Sequence, residues 1–252
     1  MKPFIKKNIF RVKEGKKDLI EDNIALEKQL RLLVNGSEVL NLLCSPSMVR
    51  ELVTGLVMTE GIIEGNLCLD RMSIEYNDAI IVDIPAEGTV SERGAIRTSG
   101  CIGGVTYEHG EKMEKIGYKG RVSAERLIGL FREFQNISKP YQLTGCIHSA
   151  AIAYEKHIIV HGEDIGRHNA VDKVIGYCLI ENIPMDDKIM LASGRLSSEI
   201  AYKCARWKIP FVVSRTAPTL KAVNIAEESG VTLIGFLREK RFNIYTGEER
   251  IL

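Results

Sequence analysis

HIIVHGEDIGRHNAVDKVIGYCLIEN, residues 157–182, decides the fold. A short apolar strand signal breaks off in polar residues, and a helix of about a dozen residues follows at once. The same alternation recurs twice more. KIMLAS (188–193) precedes GRLSSEIAYKCARWKI (194–209), and PFVVSR (210–215) precedes TAPTLKAVNIAEESG (216–230). VTLIGFL (231–237) then runs through REKR into a last strand, FNIYT (242–246). Apolar strands alternating with helices call for an α/β fold, with a mostly parallel sheet covered on both faces.

The chain before this region reads differently. QLRLLVNGSEVLNLLC (29–44) alternates on both sides of Asn35-Gly36, the signature of a two-residue hairpin. In SPSMVRELVTGLVMTEG (45–61), Ser45 is placed to cap, Pro46 suits the first turn, and Val49, Leu52, Val53, Leu56 and Val57 share one helical face. MSIEY and AIIVDIP flank Asn77-Asp78 as a further strand pair. Residues 1–97 thus read as a smaller α+β domain and 122–252 as the α/β domain. Between them, 98–121 lose all periodicity and scatter six glycines among charges, which predicts a mobile functional loop. A helix resumes at Ser123, with Leu127, Leu130, Phe131 and Phe134 on one face.

The 252 residues carry 34 basic and 33 acidic side chains, so no global field attracts nucleic acid or an anionic membrane. The amino terminus lacks a signal-peptide core, and no stretch reaches the roughly 18 apolar residues of a membrane helix. A cytoplasmic protein is expected. The six cysteines form no CxxC and no zinc-ribbon spacing, which argues against disulfides and structural zinc. Cys44, Cys68, Cys178 and Cys204 sit in or beside apolar runs and read as small buried hydrophobes. Cys146 and His148 stand at ligand spacing, but no second pair accompanies them. Cys101 differs. It stands in SGCIGG (99–104), where glycines give the chain freedom and leave N–H groups bare to stabilise a thiolate.

Ligands of open α/β sheets bind at the carboxyl ends of the strands, against helix N-termini. Here those ends carry Glu163, Asp164, Arg167 and His168, with Asn169 as N-cap; then Ser193 and Arg195; then Ser214, Arg215 and Thr216; then Arg238, Lys240 and Arg241. One edge gathers five arginines on a nearly neutral protein, which suits a nucleotide or phosphorylated cofactor. Glu163 and Asp164 are placed either to accept from a ribose or guanine, to hold Mg²⁺, or to pair with Arg167. His168 reads as a hydrogen-bonded histidine, since no nucleophile adjoins it.

GEDIGRHNAVDKVIG, SGRLSSE, SRTAPT, GFLREKRFNIYT, the terminal ERI and TEGII resemble the FdhD/NarQ family of formate dehydrogenase accessory proteins over essentially the whole chain. The resemblance implies a sulfur carrier. A cysteine desulfurase loads a persulfide on Cys101, and the sulfur passes to the molybdenum or tungsten bis-pterin guanine dinucleotide cofactor before insertion into the formate dehydrogenase catalytic subunit. It places cofactor contacts on Phe236, Leu237, Arg238, Glu239, Lys240 and Arg241, where a GDP-like nucleotide would mimic the cofactor. It also implies a homodimer with a three-layer α/β/α, cytidine-deaminase-like core, without deaminase chemistry, because the HxE and PCxxC signatures are absent. Many members carry CxxC in the loop, whereas Gly104 stands here in the second position, so a two-cysteine relay is not expected. Cys146 replaces a glycine common in the family and has no functional reading in the sequence. Two alternatives remain open: a Mg²⁺-dependent nucleotide hydrolase, and a cofactor-binding chaperone that transfers no sulfur.

Overall fold

Residues 2–90, 95–97, 105–107 and 113–252 are described by the structure, a computed structural model. The first two strands, β1 (Phe4–Lys13) and β2 (Lys16–Ala25), form an antiparallel ribbon that the sequence reading did not resolve. Their turn, Glu14-Gly15, has φ of 51° and 76°. Next, β3 (Lys28–Val34) and β4 (Ser37–Cys44) close on Asn35-Gly36, φ 50° and 78°, as the alternation predicts. Helix α1 (Val49–Glu60) follows, then β5 (Ile63–Leu67), β6 (Ser73–Tyr76), β7 (Ile80–Ile84) and β8 (Ala86–Val90). Strands β4-β3-β7-β6 make one sheet, while β5 and β8 pair separately. Ser45 does not cap α1. Met48 does, at φ 51°, and the Ser45 hydroxyl accepts instead from the Ile165 amide at 3.2 Å.

Two short strands pair across the start of the stretch whose periodicity fails, β9 (Ala95–Arg97) just before it and β10 (Val105–Tyr107) within it. Beyond it, Ile116 is buried and its amide donates to Ser229 O at 2.7 Å. Within the predicted loop, residues 98–104, Cys101 included, and 108–112 lie outside the described residues.

From there the chain builds α2 (Ala124–Ile137), α3 (Lys139–Thr144), β11 (His148–Tyr154), β12 (His157–Asp164), α4 (Arg167–Ile180), β13 (Ile189–Ala192), α5 (Ser198–Arg206), β14 (Phe211–Ser214), α6 (Leu220–Ser229), β15 (Thr232–Arg238) and β16 (Arg241–Thr246). The six later strands form one sheet in the order β12-β11-β13-β14-β15-β16. Only β13–β14 and β14–β15 pair in parallel, which corrects the expectation of a mostly parallel sheet. The cause is β11. Its sequence, HSAAIAY, lacks the β-branched run that marks a strand, yet it wedges antiparallel between β12 and β13. Strands β12, β13, β14 and β15 still point the same way, so their carboxyl ends share one edge.

Both sheet faces are covered. On one, Ile152, Val160, Met190 and Val212 pack under residues of α4, α5 and α6. On the other, Ala151, Leu191, Phe211 and Val213 meet Leu127, Leu130, Phe131 and Phe134 of α2, the face the sequence predicts. Burying each such side chain contributes about 1.5–3 kcal/mol. Ser123 caps α2, accepting from the Arg126 amide.

Helices α1 and α4 touch backbone to backbone. A Cβ on Gly55 would lie 1.9 Å from Asp172 O, and one on Gly176 1.9 Å from Glu51 O. No side chain larger than hydrogen fits either position without parting the helices. The same junction buries two ionic groups. Lys203 Nζ lies 2.8 Å from Glu60 and 2.6 Å from Asp172, and the Thr59 hydroxyl donates to Asp172 at 2.8 Å. Lys173 Nζ lies 2.7 Å from Asp164 and donates to the Ser45 and Glu163 carbonyls.

Candidate functional site

Three strand-to-helix turns meet at the shared edge: β12 into α4, β13 into α5, and β14 into α6. Each presents a helix N-terminus, whose free N–H groups and partial positive charge suit an anion. Gly166 precedes α4 in extended conformation with no side-chain cap, so Asn169 is not the N-cap the sequence suggested. Its amide nitrogen donates to Leu43 O at 3.0 Å and to Asp164 at 2.9 Å, tying the turn to β4 instead.

The turns are stitched to one another. Leu196 N donates to Ala217 O at 3.2 Å and Thr219 N to Leu196 O at 3.0 Å, joining the β13 and β14 turns. The buried Ser214 hydroxyl donates to Gly194 O at 2.8 Å, lies 3.1 Å from the Thr216 hydroxyl, and accepts from the Thr216 amide at 3.1 Å. Phe236, at φ 53°, donates its amide to Thr216 O at 3.2 Å and so brings the β15–β16 turn to the same edge. Left-handed φ at a bulky residue is a strained choice that the surrounding bonds must hold.

Of the residues the sequence singled out, the fold brings together Glu163, Arg167, His168, Ser193, Arg195, Ser214, Arg215, Thr216 and Phe236. Arg195 is exposed, Arg167 and Arg215 half-buried. Arg238, Glu239, Lys240 and Arg241 are exposed on the β15–β16 turn, whereas Leu237 is buried in the α2 cluster. Asp164 lies in the interior. It is wholly buried and takes Lys173, the Ser45 amide, the Gly166 amide and Asn169, with no face left for a ligand. Glu163 is half-buried and accepts from the Ser138 hydroxyl; burial pushes its carboxyl above the usual range.

The sequence weighed His148 only as a metal ligand, whereas the fold sets it in this corner. Ser193 Oγ accepts from the Ser149 amide at 2.9 Å and lies 3.4 Å from His148 Nδ1. Gly194 is the floor of this corner, since a Cβ there would sit 2.9 Å from Arg167 Cβ and 3.3 Å from His148 Nδ1. His148 is held below the ordinary histidine range by burial and by Arg167 and Arg195. The missed signal was β11 itself: once HSAAIAY is a strand, His148 must start it beside Asp164.

His168 Nε2 lies 3.0 Å from the Ser197 hydroxyl and 3.7 Å from Glu199. Burial, then Lys203 and Arg167, lower its pKa from 6.5 to about 3, so the ring is neutral at neutral pH. Burial raises Glu199, but the Ser197 hydroxyl, a backbone hydrogen bond and the Arg167 charge outweigh it and hold the carboxyl low. The sign for stability follows from His168. Above 6.5 the ring is neutral folded and unfolded alike, whereas between 6.5 and about 3 only the unfolded chain takes the proton and stability falls with pH. Denaturant unfolding of His168→Gln is therefore expected to show a shallower acid slope than wild type, by up to about 1.4 kcal/mol per pH unit in that window.

Burial also settles which thiols react. It pushes Cys44, Cys178 and Cys204 up to about 12, so none is a thiolate near neutrality. Cys68 is half-buried rather than core, and Cys146 is exposed just before β11.

The chain is an α/β protein whose sheet edge carries three helix N-termini together with Arg167, Arg195 and Arg215. The FdhD/NarQ family model matches residues 25–252, and the chain belongs to that family. It is 32% identical to the sulfur carrier protein FdhD of Bacillus subtilis, over 97% of this chain and 96% of that one. With the sulfur carrier protein FdhD of Geobacillus kaustophilus it shares 36%, over 92% and 91%. A crystal structure of a formate dehydrogenase accessory protein from Desulfotalea psychrophila superposes with a TM-score of 0.79 at 23% identity, covering 100% of both chains.

Proposed function

We propose that this chain is a sulfur carrier that matures formate dehydrogenase. Cys101 takes sulfane sulfur from a cysteine desulfurase as a persulfide. It then delivers that sulfur to the molybdenum or tungsten of the bis-pterin guanine dinucleotide cofactor, on its way to the formate dehydrogenase catalytic subunit. A persulfide passes by thiolate attack on the outer sulfur, with the donor cysteine leaving as thiolate, so one receiving thiol suffices. The observation that carries the reading is the sheet edge, where Arg167, Arg195 and Arg215 gather beside three helix N-termini in a member of this family. That edge would grip the guanine nucleotide portions, the turn from Phe236 to Arg241 adding its exposed cations, and GDP would occupy the same place. Glu163 and His168 shape the pocket wall in this reading.

Layering supports the finer fold proposal as well: α4, α5 and α6 on one sheet face and α2 on the other suit a cytidine-deaminase-like core. We divide the chain at 1–97, 98–121 and 122–252 and place it in the cytoplasm as a homodimer; among the described residues no helix is long and apolar enough to cross a membrane. With Asp164 turned inward, Glu163 stands without the second carboxylate a Mg²⁺-dependent hydrolase would use. A host lacking its own carrier and expressing Cys101→Ala is expected to show formate dehydrogenase activity near the empty-vector level. Full activity in that host would establish the chaperone without sulfur transfer instead.

A further inference from the structure

Strands β1 and β2 pair over ten residues, from Phe4 with Ala25 to Lys13 with Lys16, around the two-residue turn Glu14-Gly15. In such a hairpin the closing pair is hydrogen-bonded in both directions, and bonded pairs recur at every second position. Lys13, Arg11, Ile9, Lys7 and Ile5 therefore direct their N–H and C=O groups at β2. Val12, Phe10, Asn8 and Lys6 direct theirs the other way, and among the described residues no strand receives them. A long open edge of this kind is a ready template for another strand. Of the two strands, β2 also packs against α3, and β1 is the freer edge.

The side chains say what would fit. Phe10 and Val12 lie on one face, 63% and 69% exposed, with Leu19, 62% exposed, opposite Phe10. The other face carries Lys7, Arg11 and Lys13, and β1 has no acidic residue at all. Strand β2 shows the complement: Asp22 stands opposite Lys7 and Asp18 opposite Arg11, while Glu21 pairs with Lys6 at 2.6 Å. A second copy adding through its own β1 would set cations against cations, which is destabilising for facing residues. Addition through a second copy's β2 would be head-to-tail and would use a strand that already packs against α3.

We propose that the open edge of β1 receives an acidic, extended segment of a partner protein as a third strand. Its alternate apolar side chains cover Phe10 and Val12, and its carboxylates stand beside Lys7 and Arg11. Main-chain bonds supply affinity in this mode and alternate side chains supply selectivity. The surface is independent of whether sulfur moves through Cys101.

The test uses the full chain and a fluorescein-labelled decapeptide of alternating valine and glutamate. Binding is followed by anisotropy and by amide exchange. Asn8→Pro removes an outward N–H that the hairpin does not use, a position where an edge strand tolerates proline. Arg11→Glu leaves the backbone intact and reverses one charge. Wild type is expected to bind with protection of the Lys6, Asn8, Phe10 and Val12 amides, and each variant to weaken binding about tenfold or more. Several results would overturn the proposal: no binding by wild type, equal binding by Asn8→Pro, or equal binding of a valine–lysine peptide. So would phosphatidylglycerol vesicles or duplex DNA binding where the peptide does not, or self-association that Asn8→Pro abolishes.

Discussion

Lys203→Met is expected to lower the unfolding free energy by about 3–5 kcal/mol at neutral pH, because it strands two buried carboxylates. Glu60 and Asp172 are 3% and 0% exposed and both face the ammonium, which is itself 2% exposed. Burial pushes Lys203 down, but Asp172 and Glu60 outweigh it and raise the group to about 12. For Asp172 burial prevails over the pull of Lys203, and its pKa rises to about 6. The two directions agree on an ionised pair at pH 7, which lies above the Asp172 value and below that of Lys203. The stability contributed by Lys203 is complete below its unfolded pKa and is lost as pH rises through about 12. Asp172, raised in the folded state, favours folding less as pH climbs from 3.8 through about 6. Without the lysine, the Asp172 carboxyl would titrate still higher, so the deficit of Lys203→Met is expected to shrink toward acid pH. Denaturant unfolding at a series of pH values measures this. A loss below about 1 kcal/mol, or one that does not change with pH, would mean that the cluster is solvated and not a buried junction between α1, α4 and α5.

The second large effect falls on ligand binding. Arg195→Ala combined with Arg215→Ala is expected to weaken GDP binding by about tenfold to a hundredfold, since a charge-assisted hydrogen bond contributes about 1.5–3 kcal/mol and the exposed Arg195 contributes at the lower end. Both residues sit on turns held by backbone bonds and by Ser214, so the variant should unfold at the wild-type denaturant midpoint. Calorimetric titration with GDP measures the loss, and affinity in wild type should fall as salt rises. An unchanged dissociation constant would take the nucleotide away from this edge.

Much of this edge was legible because strand ends are written in polar residues after apolar runs: Glu163, Arg167, Ser193, Arg195, Ser214 and Arg215 were found by position alone. Asp164 misled for the same reason. Its sequence position is that of a ligand, and only the fold shows Lys173, one turn into α4, reaching back to take it. Strand β11 stayed hidden because alanine carries little strand preference, and with it went the antiparallel insertion and the place of His148, which the sequence weighed only for metal. Met48 displaced Ser45 as the α1 cap because the Ser45 hydroxyl holds the Ile165 amide, a contact across 120 residues that no local pattern records. The ribbon β1–β2 went unread because its strands alternate only weakly, charged and apolar residues being mixed on both faces.

The central claim is tested most directly by incubating the protein with a cysteine desulfurase and cysteine and weighing its peptides. The account predicts one added sulfur on the Cys101 peptide of wild type and none anywhere in Cys101→Ala. Equal loading of the Cys101→Ala chain, with the sulfur on exposed Cys146, would contradict it.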